Sequence, residues 1–233
     1  MRKDHVVKLL SVNVSPPREV PYERGTVRTG IFKEPVAGRR MLWKLNLDGD
    51  GQADLVNHGG AHRAVYVYSV ENYEYWRERL GRDDFGFGQF GENFTVEGMP
   101  EDEVCVGDVF RVGGALVQVS QPRPPCFKLG IKMGMARFPK LFLASGLVGF
   151  YLRVLEEGEV SAGDAIDRVE SEPERITVRK MSDLLFFDKE NLEEARRALR
   201  VRALSPGWRQ SFEERLAEAG AKARAAGEHD ATP

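Results

Sequence analysis

Between residue 5 and about residue 170 the chain is built from short alternating or apolar runs. HVVKLLSVNVS, AVYVYS, NFTVEG, DVFRVGG, ALVQVSQ, GFYLRVLEEG and DAIDRVE set apolar residues at every second position or in brief apolar stretches, and Gly, Asp or Pro separates one from the next. Period-two patterning sends alternate side chains to opposite faces, so each run predicts a strand. VGD at 106–108 and AGD at 162–164 are the matching turn signals. Strands of this number and spacing predict a barrel or strongly curved sheet. Two stretches follow a helical period instead. In SVENYEYWRERLG, Val70, Tyr73, Trp76 and Leu80 share one face, Ser69 is placed to cap the start, and Gly81 ends it. ARFPKLFLASG supplies the second helix, with Pro139 near its beginning.

After SEPER the period changes to a helical one, in ITVRKMSDLLFF, NLEEARRALR and SPGWRQSFEERLAEAGAKARA. The expected organisation is a β domain over residues 1–172, three helices over 173–227 and a frayed tail over 228–233. The fold class is mainly β with helices (α+β). Three short helices bury little apolar area alone, so they should pack on each other and on the barrel or a second subunit; Trp208 and Phe212 suit either internal docking or a homodimer interface.

Composition narrows the function classes. The chain has 233 residues, of which 42% are hydrophobic and 30% charged, with a formal charge of −2. This is an ordinary globular balance and argues against a nucleic-acid polymer as partner. MRKDHVVKLLSVNVSPP is too polar for a signal peptide, and no apolar run is long enough to span a bilayer, so a cytoplasmic protein with no membrane partner is expected. Thiols are kept reduced there, and Cys105, inside the alternating EVCVGDVF, is read as a small core residue.

Two motifs mislead. GFGQFG at 86–91 matches a dinucleotide fingerprint, but a helix precedes it and a strand follows, the reverse of what that motif needs; it is a glycine-rich loop. No flavin or nicotinamide site is recognised. DGDGQAD at 48–54 has Ala53 and Gly59 where a calcium loop requires Gly and Glu, and reads as a hairpin turn. VNHGGAHRAVYVYS is more informative, because its two glycines let a backbone approach a ligand closely. His58 and His62 with Cys126 would make only three zinc ligands, with no acidic fourth, and the glycines oppose a helical pair.

SQPRPPCFKL, residues 120–129, carries the sharpest signal. Pro122, Pro124 and Pro125 fix their own φ and offer no N–H, so Arg123 through Cys126 should run stiff and extended, outside any ladder. A thiol held there faces a cleft, and Arg123 and Lys128 favour its thiolate. That suits a nucleophile, a sulfur carrier or a soft-metal ligand. A cysteine hydrolase using Cys126 and His58 would be metal-free, but no acid is evident to orient the histidine.

HGGAHRAVYVYS, FGQFGENFTVEG, VGDVFRVGGALVQVSQPRPPCFKL and GLVGFYLRVLEEGEVSAGDAI, in this order, resemble the MOSC domain, and more narrowly its stand-alone bacterial YiiM-type branch. ITVRKMSDLLFF through LSPGWRQSFEERL is similar to the three-helix tail of that branch. The resemblance implies a MOSC-type β-barrel and a bound molybdenum cofactor, a pterin dithiolene with a phosphate, whose metal takes a protein thiolate; Cys126 stands at the matching position. It also assigns Arg123 and Lys128 to the cofactor's anionic groups, and His58, Gly59, Gly91, Glu92 and Asn93 to the pocket wall. Tyr151 and Arg153 are further cofactor-binding candidates, while His62, where many relatives carry an acid, receives no ligand role. The activity implied is reduction of N-hydroxylated compounds such as hydroxylaminopurines, with electrons from an external flavoprotein. The alternative is a non-catalytic carrier of persulfide sulfur or of the cofactor on Cys126.

Overall fold

The computed structural model describes residues 7–53 and 59–229. Twelve strands, six α-helices and one short 3-10 helix (Ala61–Arg63) follow one another along them. The strands are β1 (Lys8–Val14), β2 (Arg18–Tyr22), β3 (Gly25–Thr29), β4 (Glu34–Pro35), β5 (Arg40–Leu42), β6 (Val65–Ser69), β7 (Phe94–Glu97), β8 (Val109–Val112), β9 (Ala115–Pro122), β10 (Phe150–Glu156), β11 (Gly158–Val160) and β12 (Ile166–Glu170). Every run predicted from alternation forms a strand. β2 with β3, β4, β5 and β11 are additional, and β2–β3 is a separate hairpin.

The main sheet runs in the order β12-β8-β9-β10-β6-β7-β1-β4, with β6 and β7 parallel and its other paired strands antiparallel. It closes on itself. Leu9 N–H donates to Asp164 O (3.0 Å), Gly163 N–H to Leu9 O (2.7 Å) and Ile166 N–H to Val7 O (3.0 Å), stitching β1 to the entry of β12. Closure removes the free edges that an open sheet would expose. Side-chain alternation then sorts the layers: Val65 and Val67 of β6 join the apolar cluster that also holds Leu9, Val12 and Val117, while Tyr66 and Tyr68 point to the other face.

On that outer face lie α1 (Glu71–Leu80), α2 (Phe127–Met133) and α3 (Phe138–Ser145). They bury an aromatic layer that includes Tyr73, Trp76, Phe90, Phe138 and Phe142. Ser69 does not cap α1 as predicted. The residue before the helix is Val70, itself helical (φ −66°, ψ −27°), and Ser69 is taken up by the end of β6. Glu71 and Glu74 in the first turn oppose the helix dipole instead, and Gly81 ends the helix at φ 62°, as its sequence position predicts.

The tail is α4 (Val178–Phe186), α5 (Leu192–Ala198) and α6 (Pro206–His229). Thr177 caps α4 through Lys180 N–H (3.2 Å), and Asn191 caps α5 through Glu194 N–H (3.1 Å). Val178, Met181, Leu184, Trp208 and Phe212 belong to the same continuous cluster as the barrel interior. Backbone bonds fasten the junction: Val106 N–H to Ile176 O (3.0 Å), Val178 N–H to Val104 O (2.8 Å) and Ser205 N–H to Ser120 O (3.1 Å). The tail therefore docks on the barrel of its own chain. No helix among the described residues is long and apolar enough to cross a membrane.

Candidate functional site

The site grows out of the end of β9. Arg123 N–H makes one further ladder bond, to Gly149 O (3.2 Å), beyond which Pro124 and Pro125 have no N–H to give. Cys126 follows in extended geometry (φ −140°, ψ 139°), immediately before α2, and is half-buried. Cys126 has the stiff, open placement that the prolines predict, whereas Arg123, expected outside any ladder, is still held by a ladder bond and is buried. Sequence reading missed α2, because FKLGIKM is short and carries Gly130 within it; a Cβ there would stand 3.0 Å from Met135 O.

Cys126 borders a cleft shared with Arg123, Lys128, Tyr151, Gly91 and Asn93, six of the residues expected from the sequence. Arg123 is only 5% exposed, with its guanidinium 4.9 Å from the Tyr66 ring centre and 5.2 Å from that of Phe142. The two rings repay part of its desolvation. Its Nη1 has no hydrogen-bond partner among the described residues. Tyr151 lies across from Tyr66 on the neighbouring strand, ring centres 5.4 Å apart; burial pushes its pKa up and Arg123 opposes the shift.

Opposite these groups stand Thr29, Gly30 and Ile31. Gly91 (φ +82°) allows the approach, since a Cβ there would sit 2.6 Å from Ile31 Cγ1. Lys132 of α2 holds the same loops together by donating to Gly88 O (2.6 Å) and Ile31 O (3.1 Å), and burial lowers its pKa to about 8. Beneath them lies a polar network that sequence reading missed. Asn93 Nδ2 donates to Asp50 Oδ2 (2.8 Å) and Asn93 Oδ1 accepts from Tyr66 N–H (3.1 Å). Asp50 also accepts from Ser15 N–H (2.9 Å) and forms a buried ion pair with Lys33, whose pKa burial lowers while Asp50 opposes the shift. The turn read from DGDGQAD thus supplies a site carboxylate.

Several assignments need correcting. Glu92 does not line the cleft: it is fully buried and accepts from Gly88 N–H (2.8 Å), Phe90 N–H (3.0 Å), Thr95 Oγ1 (2.8 Å) and the Tyr73 hydroxyl, which fixes the 88–92 turn. Gly59 lies outside the cleft lining, on a neighbouring hollow with His62. Arg153 is on the outward face of β10, two residues beyond Tyr151, and is also outside the lining. His58 lies outside the described residues. Cys105 is fully buried, as its alternating run implies.

The cleft suits an anionic, metal-bearing ligand. It offers one soft sulfur donor, a cation on Lys128 and a buried guanidinium nitrogen that has no acceptor among the described residues. Fold and cleft together define a closed barrel with a cysteine–arginine site and a docked helical tail. The MOSC domain family model matches residues 54–167, and the YiiM-like, 3-alpha helix domain model matches residues 176–219. Over 210 residues, 90% of this chain, the protein is 44% identical to the uncharacterized protein YflK of Bacillus subtilis, covering 95% of it. The crystal structure of YiiM from Geobacillus stearothermophilus superposes with a TM-score of 0.78 at 36% identity, over 90% of this chain and 99% of that one. A protein named reductase from Gibberella moniliformis is 34% identical over 149 residues, 63% of this chain but 26% of its own length. The chain belongs to the MOSC family, in its YiiM-type branch. MOSC domains are associated with molybdenum cofactor binding.

Proposed function

We propose that the protein is a molybdenum-cofactor-dependent reductase of N-hydroxylated compounds, hydroxylaminopurines among them. The observation that carries this reading is the buried Nη1 of Arg123, which has no acceptor among the described residues, in the cleft that Cys126 borders. A guanidinium so placed costs free energy unless an anion meets it. When bound, the cofactor supplies two-electron redox chemistry. The net reaction is R–NHOH + 2e⁻ + 2H⁺ → R–NH₂ + H₂O. Cys126 would hold the metal as thiolate, and Arg123 and Lys128 the cofactor's anionic groups, while Tyr151, Asn93 and Gly91 shape the wall. Electrons would come from an external flavoprotein, in the cytoplasm. The reductase-named relative supports the reaction class.

The half-buried thiol also suits the second reading, a carrier of persulfide sulfur or cofactor. Both are tested on protein purified from cells that make the cofactor, by metal analysis, intact mass and turnover of a hydroxylaminopurine with a flavoprotein donor. The expected result is bound molybdenum and turnover in the wild type, both lost in Cys126→Ala. Unchanged metal and turnover in that variant would overturn the site. A persulfide mass without stoichiometric molybdenum would replace the reductase reading with the carrier.

A further inference from the structure

The first helix of the tail reaches the turn that holds Arg123. Residues 145–149, between α3 and β10, present their backbone to side chains from several elements. Tyr68 Oη donates to Leu147 O (3.0 Å), Tyr66 Oη to Val148 O (2.9 Å), and Arg179 Nη1 of α4 to Ser145 O (3.0 Å). Gly146 makes room for that guanidinium: its φ is +69°, and a Cβ there would stand 1.7 Å from Arg179 Nη1. At the far end of the turn, Gly149 N–H donates to Glu101 Oε1 (2.8 Å), and Gly149 O accepts the Arg123 N–H (3.2 Å).

Glu101 is tied to α4 as well. Its carbonyl accepts Arg179 N–H (2.8 Å), so the two residues are joined through the backbone while their side chains hold the two ends of one turn. Glu101 is buried, and Oε2 has no partner among the described residues. Burying a carboxylate in this way is unfavourable where an apolar side chain would not be, so packing does not account for it. The charged and titratable groups around it are Arg179 of α4 and the Tyr66 and Tyr68 hydroxyls of β6; α1 contributes the Asn72 amide, which donates to Oε1 (2.8 Å).

The side chain of Arg123 is referred to the same turn. Its guanidinium lies 4.9 Å from the centre of the Tyr66 ring, whose hydroxyl holds Val148 O. Both ends of Arg123 thus take their position from residues 145–149, and α4 holds that turn in place. We propose that Arg179 and Glu101 are positioning residues for Arg123, so that docking of the tail sets how well the cleft holds an anion. The proposal rests on the cofactor reading only in taking Arg123 as an anion-holding residue; the relay from α4 to Arg123 stands on the hydrogen bonds alone.

The test uses the full chain without cofactor and follows the Gly149 and Arg123 amides and the Arg123 Nε–Hε by NMR. Arg179→Gln should shift all three signals and weaken sulfate binding, read at Arg123 Nε–Hε, about fivefold, the low end of coupling between sites. Arg215→Gln is the matched control. This tail arginine donates to Leu184 O (2.6 Å) and Leu185 O (3.2 Å) at the other end of α4, so its loss should leave the three signals and the sulfate affinity unchanged, whatever it does to the melting temperature. A pH profile adds a second readout: burial raises the Glu101 pKa to about 7, so the two amides should titrate around that pH in the wild type and not in Glu101→Gln. The proposal is overturned if Arg179→Gln, folded by thermal melting, keeps wild-type Arg123 signals and sulfate affinity, or if Arg215→Gln changes them as much. Absence of sulfate binding at wild-type Arg123 would overturn its anion-holding role, and that part of the cofactor reading with it, while the three signals separately decide whether the relay exists.

Discussion

The inside of the barrel and the layer outside it are both apolar, yet they are built from different residues. Leu9, Val12, Val65, Val67 and Val117 fill the interior with side chains that carry no polar atom. Outside, several of the rings have polar handles that are anchored: Tyr66 Oη donates to Val148 O (2.9 Å), Tyr68 Oη to Leu147 O (3.0 Å), and Trp76 Nε1 to Tyr68 Oη (2.8 Å). Aliphatic burial favours compactness and leaves side-chain direction loosely set; anchored rings set direction as well. Arg123 rests on that second layer, over Tyr66 and Phe142. The interior decides that the chain folds, and the aromatic layer decides where the charged atoms of the cleft stand.

The largest expected effect tests the interior. Phe212, fully buried in α6, belongs to the barrel's cluster, so Phe212→Ala should cost about 3–5 kcal/mol, and the whole chain should still melt in one step. Far-UV circular dichroism and tryptophan fluorescence check this; an early separate transition of the tail would break the shared core. A smaller effect, of opposite sign, tests the outer layer's border. Glu101 is buried, with Oε1 accepting from Asn72 Nδ2 (2.8 Å) and Gly149 N–H (2.8 Å) while Oε2 has no partner among the described residues. Burial raises its pKa from 4.5 to about 7. The folded state therefore keeps a proton that the unfolded chain releases near pH 4.5, and stability falls as pH rises from there through 7. Glu101→Gln mimics the protonated form, so it should match the wild type near pH 4.5 and exceed it by about 3 kcal/mol at pH 8, read from urea melts. The smallest effect belongs to the site itself: Cys126→Ala should change stability by less than about 0.5 kcal/mol, because a half-buried thiol contributes little packing. A large loss of stability there would make Cys126 a core residue after all.

Legibility in the sequence divides along the same line. Strands with a less buried second face show their period, which is why β1, β9 and β10 could be read from HVVKLLSVNVS, ALVQVSQ and GFYLRVLEEG, while β6, buried on both faces, shows as the brief apolar stretch AVYVYS. The β2–β3 hairpin could not, since REVPY and GTVRT are mostly exposed and carry no alternation. In the site, Cys126, Arg123 and Lys128 were legible because three prolines and two cations crowd one thiol. Lys33 and Asp50 were not, because a buried ion pair between IFKEP and DGDG leaves no local pattern; only the apolar Ile31 and Phe32 beside Lys33 hint at burial. Glu92 was misplaced for a related reason: FGEN marks a conspicuous turn, but its carboxylate is spent on the turn's own amides.

The backbone bonds that join β1 to residues 163–166 also govern the order in which the molecule is made. A chain growing from its N-terminus holds Val7 and Leu9 without their closing partner until nearly the whole barrel has been synthesised. Contacts of such sequence separation form slowly, and an unpaired apolar strand is open to misassociation meanwhile. α4 to α6 are translated just after the closing segment, so their docking comes last and covers a barrel that has only then become complete. The tail acts as the final seal of biogenesis, and a ribosome stalled before residue 163 would present an open sheet to the cell's quality control.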